Sequence, residues 1–125
     1  MEALNIEATE DTPKIVLDAG SGNFEFSGTS IPEDAVSFYK PVFDWLTAYA
    51  EAPKKGSNFN FNLEYFNTAS SKVILDIFLK IDEVNGGDNG FKITWHFDEE
   101  DEDMEEAGEE YADLVDVDFE LKSYS

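Results

Sequence analysis

The stretch "NFNFNLEYFNTASSKVILDIFLKIDEV", residues 58–84, places a strand pattern directly before a helix pattern. Apolar and polar residues alternate over residues 58–66, which predicts a strand with one buried and one hydrated face. From about Thr68 the apolar residues recur at spacings of three and four, which predicts an amphipathic helix. The residues predicted to face the core are Phe59, Phe61, Leu63 and Tyr65 in the strand and Val73, Ile74, Ile77, Phe78, Ile81 and Val84 in the helix.

Other segments repeat the strand alternation on both sides of this stretch. The clear pair is "GFKITWHFD" (residues 90–98) and "VDVDFELK" (residues 115–122). The weaker candidates are "LNIE" (residues 4–7), "KIVLD" (residues 14–18) and "NFEFSG" (residues 23–28), and the turn "AGSGN" predicts a hairpin between the last two. The residues of the clear pair predicted to face the core are Phe91, Ile93, Trp95, Phe97, Val115, Val117, Phe119 and Leu121.

Two more helices are predicted between the strands. The first begins at "IPEDAVSFYK" (residues 31–40), where Pro32 fits the first turn and the two acidic residues after it suit the positive helix end. Pro41 predicts a kink or a short break before "VFDWLTAYAEA". The other helix is "EDEDMEEAGEEYADLV" (residues 100–115). Its thin apolar edge consists of Met104, Ala107, Tyr111 and Leu114.

The order of these elements predicts the fold class. Strands that alternate with helices are typical of an α/β domain, and right-handed crossovers place consecutive helices on one face of the sheet. Sheets covered on both faces tend to have continuous apolar strands, whereas these strands alternate. We therefore predict a two-layer α/β sandwich, with one mixed sheet whose helices pack on one face while the other face stays largely open. Residues 1–125 are expected to form one domain.

Composition and charge narrow the function classes. The chain has no Cys, which excludes disulfides and thiolate metal sites. It also has no apolar run long enough to span a bilayer. We therefore expect a cytoplasmic protein. With 29 acidic and 8 basic residues its net charge is −21. Such a surface repels nucleic-acid phosphates and anionic lipids, which excludes nucleic acid and membrane as partners and leaves other proteins.

The acidic run "DEEDEDMEEAGEE" has ten carboxylates between Asp98 and Glu110 and no basic residue. Calcium loops also concentrate carboxylates, but they require a fixed ligand spacing and a Gly at the sixth position, which this run lacks. A hydrated helix face, available to a partner, fits the run better than a metal site. No cofactor motif is present, because neither a Walker-type loop nor "GxGxxG" occurs, and His96 lies on the predicted hydrated face.

The hydroxyl residues Thr68, Ser70 and Ser71 lie where the strand of residues 58–66 gives way to the helix. Three interpretations compete. Thr68 or Ser70 could cap the first helical turn, the turn could bind an anion or take part in catalysis, or a hydroxyl could be modified. A small anion-binding, nucleotide-binding or hydrolytic domain that uses the turn between Thr68 and Lys72 is therefore the alternative to a regulatory protein. Nothing in the sequence singles out catalytic residues.

The chain resembles the SiaC family of regulatory phosphoproteins, small domains with a fold similar to STAS (anti-sigma factor antagonist) domains. Four segments carry the resemblance and together cover nearly the whole chain. They are "LNIEATEDTPKIVLD", "SGTSIPEDAVSFYKPVFDWL", "NLEYFNTASSK" and "TWHFDEEDEDMEEAGEEYADL". The element "YFNT" is the most telling, because the family's phosphoacceptor threonine corresponds to Thr68 here.

The resemblance implies partner switching by a protein that is not an enzyme. A serine/threonine kinase would phosphorylate Thr68, a PP2C-type phosphatase would remove the phosphate, and the unphosphorylated form would activate a diguanylate cyclase. The output would be cyclic-di-GMP signalling and control of biofilm or aggregation. The residues expected to contact the partner are Tyr65, Phe66, Asn67, Thr68, Ala69, Ser70, Ser71 and Lys72.

Overall fold

Six strands and three helices make up the part of the chain described by the computed structural model, residues 2–125. The strand and helix pattern of residues 58–84 forms β4 and α2, with Asn67 alone between them. The strands are β1 (Leu4–Ile6), β2 (Lys14–Leu17), β3 (Asn23–Ser30), β4 (Asn58–Phe66), β5 (Lys92–Asp98) and β6 (Asp118–Tyr124). The helices are α1 (Ala35–Tyr49), α2 (Thr68–Asn85) and α3 (Glu102–Leu114).

The strands form one mixed sheet in the order β1-β2-β3-β4-β5-β6. The first three strands pair antiparallel, and β3 to β6 pair parallel. Parallel neighbours require crossover connections, and each of the three helices provides one. All three helices therefore begin at the edge where the parallel strands end, which we call the carboxyl edge. The predicted α/β fold with one mixed sheet is confirmed.

The core lies between one face of the sheet and the helices. The ring centroids of Phe24 on β3 and Phe59 on β4 lie 4.6 Å apart. Trp45 of α1 packs edge-on against Phe24. Trp95 of β5 is completely buried, and its indole N–H donates a hydrogen bond to the Met104 carbonyl at 2.9 Å. This bond fixes α3 over β5, so the acidic helix is attached to the sheet by its narrow apolar edge.

The other face of the sheet is polar and open, as predicted. Asn60 is central to it, since its side chain bonds Asn23 at 3.1 Å and His96 at 3.1 Å. Burial lowers the pKa of His96 from its ordinary value, and the charge of Lys122 lowers it further. Thr94 is buried on this face and donates to the side chain of Asn58. The face is thus hydrated but internally hydrogen-bonded.

The start of α1 and its continuity at Pro41 differ from what the sequence suggested. The helix begins at Ala35 with Asp34 as its N-cap, so Pro32 precedes the helix. Of the two outcomes predicted at Pro41, a kink or a short break, the break is absent, since α1 runs through Pro41 to Tyr49. Ser37 and Pro41 are both exposed, which places the carbonyl that lacks its usual N–H partner on the hydrated side of the helix.

The last strand starts later than predicted. Val115 is the C-cap of α3 rather than a strand residue, and Leu114 is 56% exposed instead of packing as part of the apolar edge. Both carboxylate oxygens of Asp82 on α2 accept backbone N–H groups, from Asp116 at 2.9 Å and from Val117 at 2.7 Å. These bonds hold the connection in a turn, so β6 begins only at residue 118.

Tyr65 does not face the core, which corrects the predicted alternation of β4. The register with β3 shifts between Gly28 and Thr29, whose partners are Leu63 and Tyr65, so Glu64 is an extra residue in β4. Such a bulge reverses the facing of the residues that follow it. Tyr65 is therefore 59% exposed, and Phe66 is half-buried in its place.

No helix within residues 2–125 is long and apolar enough to cross a membrane.

Candidate functional site at the carboxyl edge

The first turn of α2 is capped by Asn67. Its backbone is extended, and its side-chain oxygen accepts the Ser70 N–H at 2.9 Å. Its carbonyl accepts the Ser71 N–H at 3.0 Å, which is the first bond of the helix. Thr68 is the first helical residue. The prediction that Thr68 or Ser70 is the cap was therefore wrong, because the favoured cap residue immediately before them takes this position.

The three hydroxyls of the turn have different environments. Ser70 is completely buried, and its hydroxyl accepts a hydrogen bond from Ser30 at 2.9 Å. The Ser71 hydroxyl donates to the carbonyl of Thr68 at 2.7 Å. Thr68 is exposed, and none of the side-chain hydrogen bonds in the described chain involves its hydroxyl. Of the three, Thr68 has the hydroxyl that an enzyme can reach without disturbing an existing bond.

A buried chain of hydroxyls lies directly beneath this turn. Ser30, the last residue of β3, bonds Ser70 on α2 and also the phenol of Tyr39 on α1, at 2.6 Å. Burial raises the pKa of Tyr39 to about 12, although its bond to Ser30 acts in the opposite direction. The phenol is therefore neutral at physiological pH. This chain attaches the first turn of α2 to a strand and to a second helix.

A second buried phenol connects α3 to the same turn. The hydroxyl of Tyr111 donates to the Ser71 carbonyl at 2.9 Å. Its ring packs against Phe66, Phe78 and Trp95, with centroid separations of 6.5, 5.0 and 5.5 Å. Burial raises the pKa of Tyr111 well above its ordinary value, and the charge of Glu110 raises it further. The backbone around Thr68 is thus held by contacts from all three helices.

An acidic cleft opens beside the turn because β4 separates from β5. The two strands pair only as far as Phe61 with Trp95, and two adjoining cavities of about 310 and 340 Å³ lie beyond that pair. The carboxylates that line them are Glu64, Asp98, Asp101 and Asp103, and their apolar lining is Leu63, Tyr65, Phe66, Met104, Ala107 and Tyr124. Burial raises the pKa of Tyr124, and the charges of Asp98 and Glu64 add to the effect. The cleft has an apolar floor and an anionic rim.

The structure divides the predicted partner-contacting segment into exposed and structural residues. Phe66 packs edge-on against Trp95, with ring centroids 6.1 Å apart, so it belongs largely to the core. Asn67, Ser70 and Ser71 are buried or half-buried and serve the helix start, as described above. The residues that a partner can reach directly are Tyr65, Thr68, Ala69 and Lys72. We call these four residues the exposed docking patch.

The acidic run beside the site has no metal-binding arrangement. Across residues 2–125 no three or more His, Asp or Glu side chains converge in a way that could hold a metal ion. Asp101 instead caps α3 by accepting the Met104 N–H at 3.1 Å, and Asp98 accepts the Glu100 N–H at 2.9 Å. Acidic residues in the first turn also suit the positive end of the helix. The carboxylates nearest the cleft therefore stabilise the start of α3.

The sequence profile described as "SiaC family regulatory phosphoprotein" matches residues 6–124. The chain belongs to the SiaC family. It is also 27% identical over 124 residues to an uncharacterised protein of Pseudomonas aeruginosa strain UCBPP-PA14, with 99% of this chain and 98% of that protein covered. The family assignment that the sequence suggested is confirmed.

Solved structures of SiaC from Pseudomonas aeruginosa have the same fold as this SiaC-family chain. The apo-SiaC crystal structure gives a TM-score of 0.89 at 27% identity and covers 98% of this chain and 99% of that chain. A second structure, of the diguanylate cyclase SiaD in complex with its activator SiaC, also gives 0.89 and 27%, with 97% and 99% covered. The likeness extends over nearly the whole chain.

Sequence reasoning found the exposed hydroxyl of this SiaC-family chain but missed what supports it. Asn67 was identifiable, because it is a favoured cap residue directly before the helix. Ser30 and Tyr39 gave no local signal, since Ser30 lies forty positions from its partner Ser70. Tyr111 was predicted to be apolar edge only, and its bond to Ser71 depends on the packing of α3 against α2.

Proposed function

We propose that this chain is a non-enzymatic regulatory phosphoprotein that binds and activates a diguanylate cyclase when Thr68 is unphosphorylated. A serine/threonine kinase transfers the γ-phosphoryl group of ATP to Oγ1 of Thr68, with ADP leaving and the hydroxyl proton passing to the kinase. A PP2C-type phosphatase hydrolyses the phosphate and restores the active form. The chain acts in the cytoplasm as a single regulatory domain, residues 1–125, and controls biofilm formation or aggregation through cyclic-di-GMP.

The observation that carries this proposal is the state of the Thr68 hydroxyl. It is exposed and unbonded in the described chain, whereas Ser70 is buried and the Ser71 hydroxyl is engaged. The turn around it is held by the Tyr39 and Tyr111 phenols, so the acceptor is presented on a rigid support. The similar SiaC of Pseudomonas aeruginosa, which is the activator in a complex with SiaD, supports the choice of partner.

Charge provides the mechanism of the switch. A phosphate adds about two negative charges to the exposed docking patch. The carboxylates of Glu64 and Asp103 already line the neighbouring cleft, so the partner would have to desolvate a dianion on a surface that is anionic before modification. Burial of a dianion that is not fully compensated costs several kcal/mol, and each 1.4 kcal/mol is about tenfold in affinity. One phosphate is thus sufficient to dissociate a micromolar complex.

The binding test compares Thr68→Asp with Thr68→Ala and Ser71→Ala. Affinity for the diguanylate cyclase of the source organism is measured by calorimetry, and cyclic-di-GMP formation from GTP is measured in the same mixtures. Thr68→Asp is expected to lose binding and activation, while both alanine variants retain them. A Thr68→Asp variant that activates the cyclase as well as the wild type does would contradict the proposal.

Phosphate transfer is tested separately with the kinase and radiolabelled ATP. Thr68→Ala should accept no label, whereas Ser71→Ala and Ser70→Ala should be labelled like the wild type. Label that persists on Thr68→Ala would move the acceptor to another hydroxyl. Incubation of the chain alone with ATP and other nucleotides tests the non-enzymatic assignment, since turnover or tight binding would favour an anion-binding or hydrolytic role for residues 68–72 instead.

A further inference from the structure

Lys72 is the cation closest in sequence to Thr68, four positions later on α2. It is exposed, and no ion pair in residues 2–125 involves it. The strand-to-helix connections at the carboxyl edge, residues 31–34, 67 and 99–101, contain five carboxylates and no Lys or Arg. Lys72 is therefore the cation of the exposed docking patch, next to a strongly anionic edge.

The spacing brings Lys72 within reach of a phosphate on Thr68. Residues four apart on a helix lie on the same side, with Cβ atoms about 6 Å apart. Lys40 and Asp44 on α1 have this spacing, and Nζ lies 2.9 Å from the carboxylate. Pairs with the anion N-terminal to the cation are the more favourable ones, and a phosphate on Thr68 followed by Lys72 has that order.

The other groups near Thr68 leave Lys72 as the side-chain cation for such a phosphate. The amides of Ser70 and Ser71 are already bonded to Asn67, so the amides that remain for it are those of Thr68 and Ala69 at the start of the helix. Asp76, one turn after Lys72, forms no ion pair with it, although Lys40 and Asp44 pair at the same spacing and in the same order. Glu64 on β4 lines the cleft beside Tyr65 and repels a phosphate.

We propose that the phosphate of phosphorylated Thr68 captures Lys72 in an intrahelical ion pair. When Thr68 is unphosphorylated, Lys72 pairs instead with a carboxylate of the partner. Phosphorylation then changes the exposed docking patch twice, because it adds an anion and removes the cation that the partner uses. This inference rests on the proposed function for the identity of the modified residue and of the partner.

The capture is tested on the isolated chain, with phosphothreonine introduced at position 68 by codon suppression. The second pKa of the phosphate is followed by ³¹P NMR in the phosphorylated wild type and in its Lys72→Gln and Lys80→Gln variants. Loss of an exposed ion pair should raise that pKa by about half a unit in Lys72→Gln. Lys80→Gln removes the same charge two turns further along α2 and should leave the pKa unchanged. Equal pKa values in wild type and Lys72→Gln would overturn the capture.

The partner contact is tested on the unphosphorylated chain with the same cyclase. Lys72→Gln should weaken binding about five- to tenfold, and the loss should shrink at high salt, while Lys80→Gln should bind like the wild type. If the wild type binds and Lys72→Gln binds equally well, the lysine contact is wrong but the proposed function stands. If the wild type does not bind the cyclase, the proposed function fails, and the ³¹P result still decides whether the ion pair forms.

Discussion

Gly108 of α3 lies so close to Trp95 that a Cβ atom at position 108 would come within 2.5 Å of Cδ1 and 2.9 Å of Nε1 of the indole. Gly108→Ala should therefore carry an overpacking cost of about 1–3 kcal/mol, which the gain of about 1 kcal/mol from the better helix propensity of Ala offsets only in part, so we expect a net destabilisation of up to about 2 kcal/mol. Urea unfolding measures the difference. Glu109→Ala, at the exposed neighbouring position, is the control and should be nearly neutral. A Gly108→Ala variant as stable as the wild type would show that α3 moves away freely.

The assignment of Asn67 as the helix cap predicts losses of stability of different size for two adjacent substitutions. Asn67→Ala removes the oxygen that accepts the Ser70 N–H and should cost about 1 kcal/mol of stability. Thr68→Ala removes a hydroxyl that is unbonded in the described chain and should change stability by less than about 0.5 kcal/mol. Thermal unfolding of the two variants checks the contrast. Equal losses in both would mean that Thr68 also contributes to capping.

The buried hydroxyl chain predicts a strong effect at a small residue. Ser30→Ala deprives both the Tyr39 phenol and the Ser70 hydroxyl of their shared partner, so it should cost about 1–3 kcal/mol. Ser27→Ala is a suitable control, because Ser27 is a β3 serine that is bonded to Glu25 on the open face and is only half-buried. The loss of stability in Ser27→Ala, measured by chemical denaturation, should be several-fold smaller than that in Ser30→Ala. A neutral Ser30→Ala would imply that the two remaining hydroxyls bond each other directly.

The fold was predictable because its determinants are local. Alternation over β4 and the apolar stripe of α2, including Ile77 and Phe78, depend only on residues a few positions apart. The open face followed from the polar residues of the same strands, such as Asn60 and His96. These patterns are set by side-chain hydrophobicity at the strand and helix periods, so no knowledge of distant contacts was needed.

The errors occurred where distant contacts override the local pattern. Tyr65 faces outward because a bulge opposite Gly28, which has a positive φ of 112°, adds one residue to β4. The start of β6 is delayed because Asp82, far away in the sequence, binds the amides of Asp116 and Val117. The support of the candidate site has the same character. The exposed threonine was readable from the sequence, whereas the phenols beneath it became apparent only from the packed helices.

The buried phenol of Tyr39 predicts a loss of stability at alkaline pH. Its pKa is raised from 10.0 to about 12 by burial, so between these values the folded chain keeps a proton that the unfolded chain has released. The free energy of unfolding should therefore be unaffected below pH 10 and fall as the pH rises from about 10 to about 12, by about 2 kcal/mol from this group alone. Urea unfolding at about pH 9 and about pH 11 measures the slope.

The control is Tyr39→Phe, which should start less stable because it loses the bond to Ser30. Its stability should fall less steeply with pH. The slope that remains comes from Tyr111, whose pKa is also raised by burial. Parallel slopes in the two proteins would mean that Tyr39 ionises in the folded state as readily as in the unfolded chain.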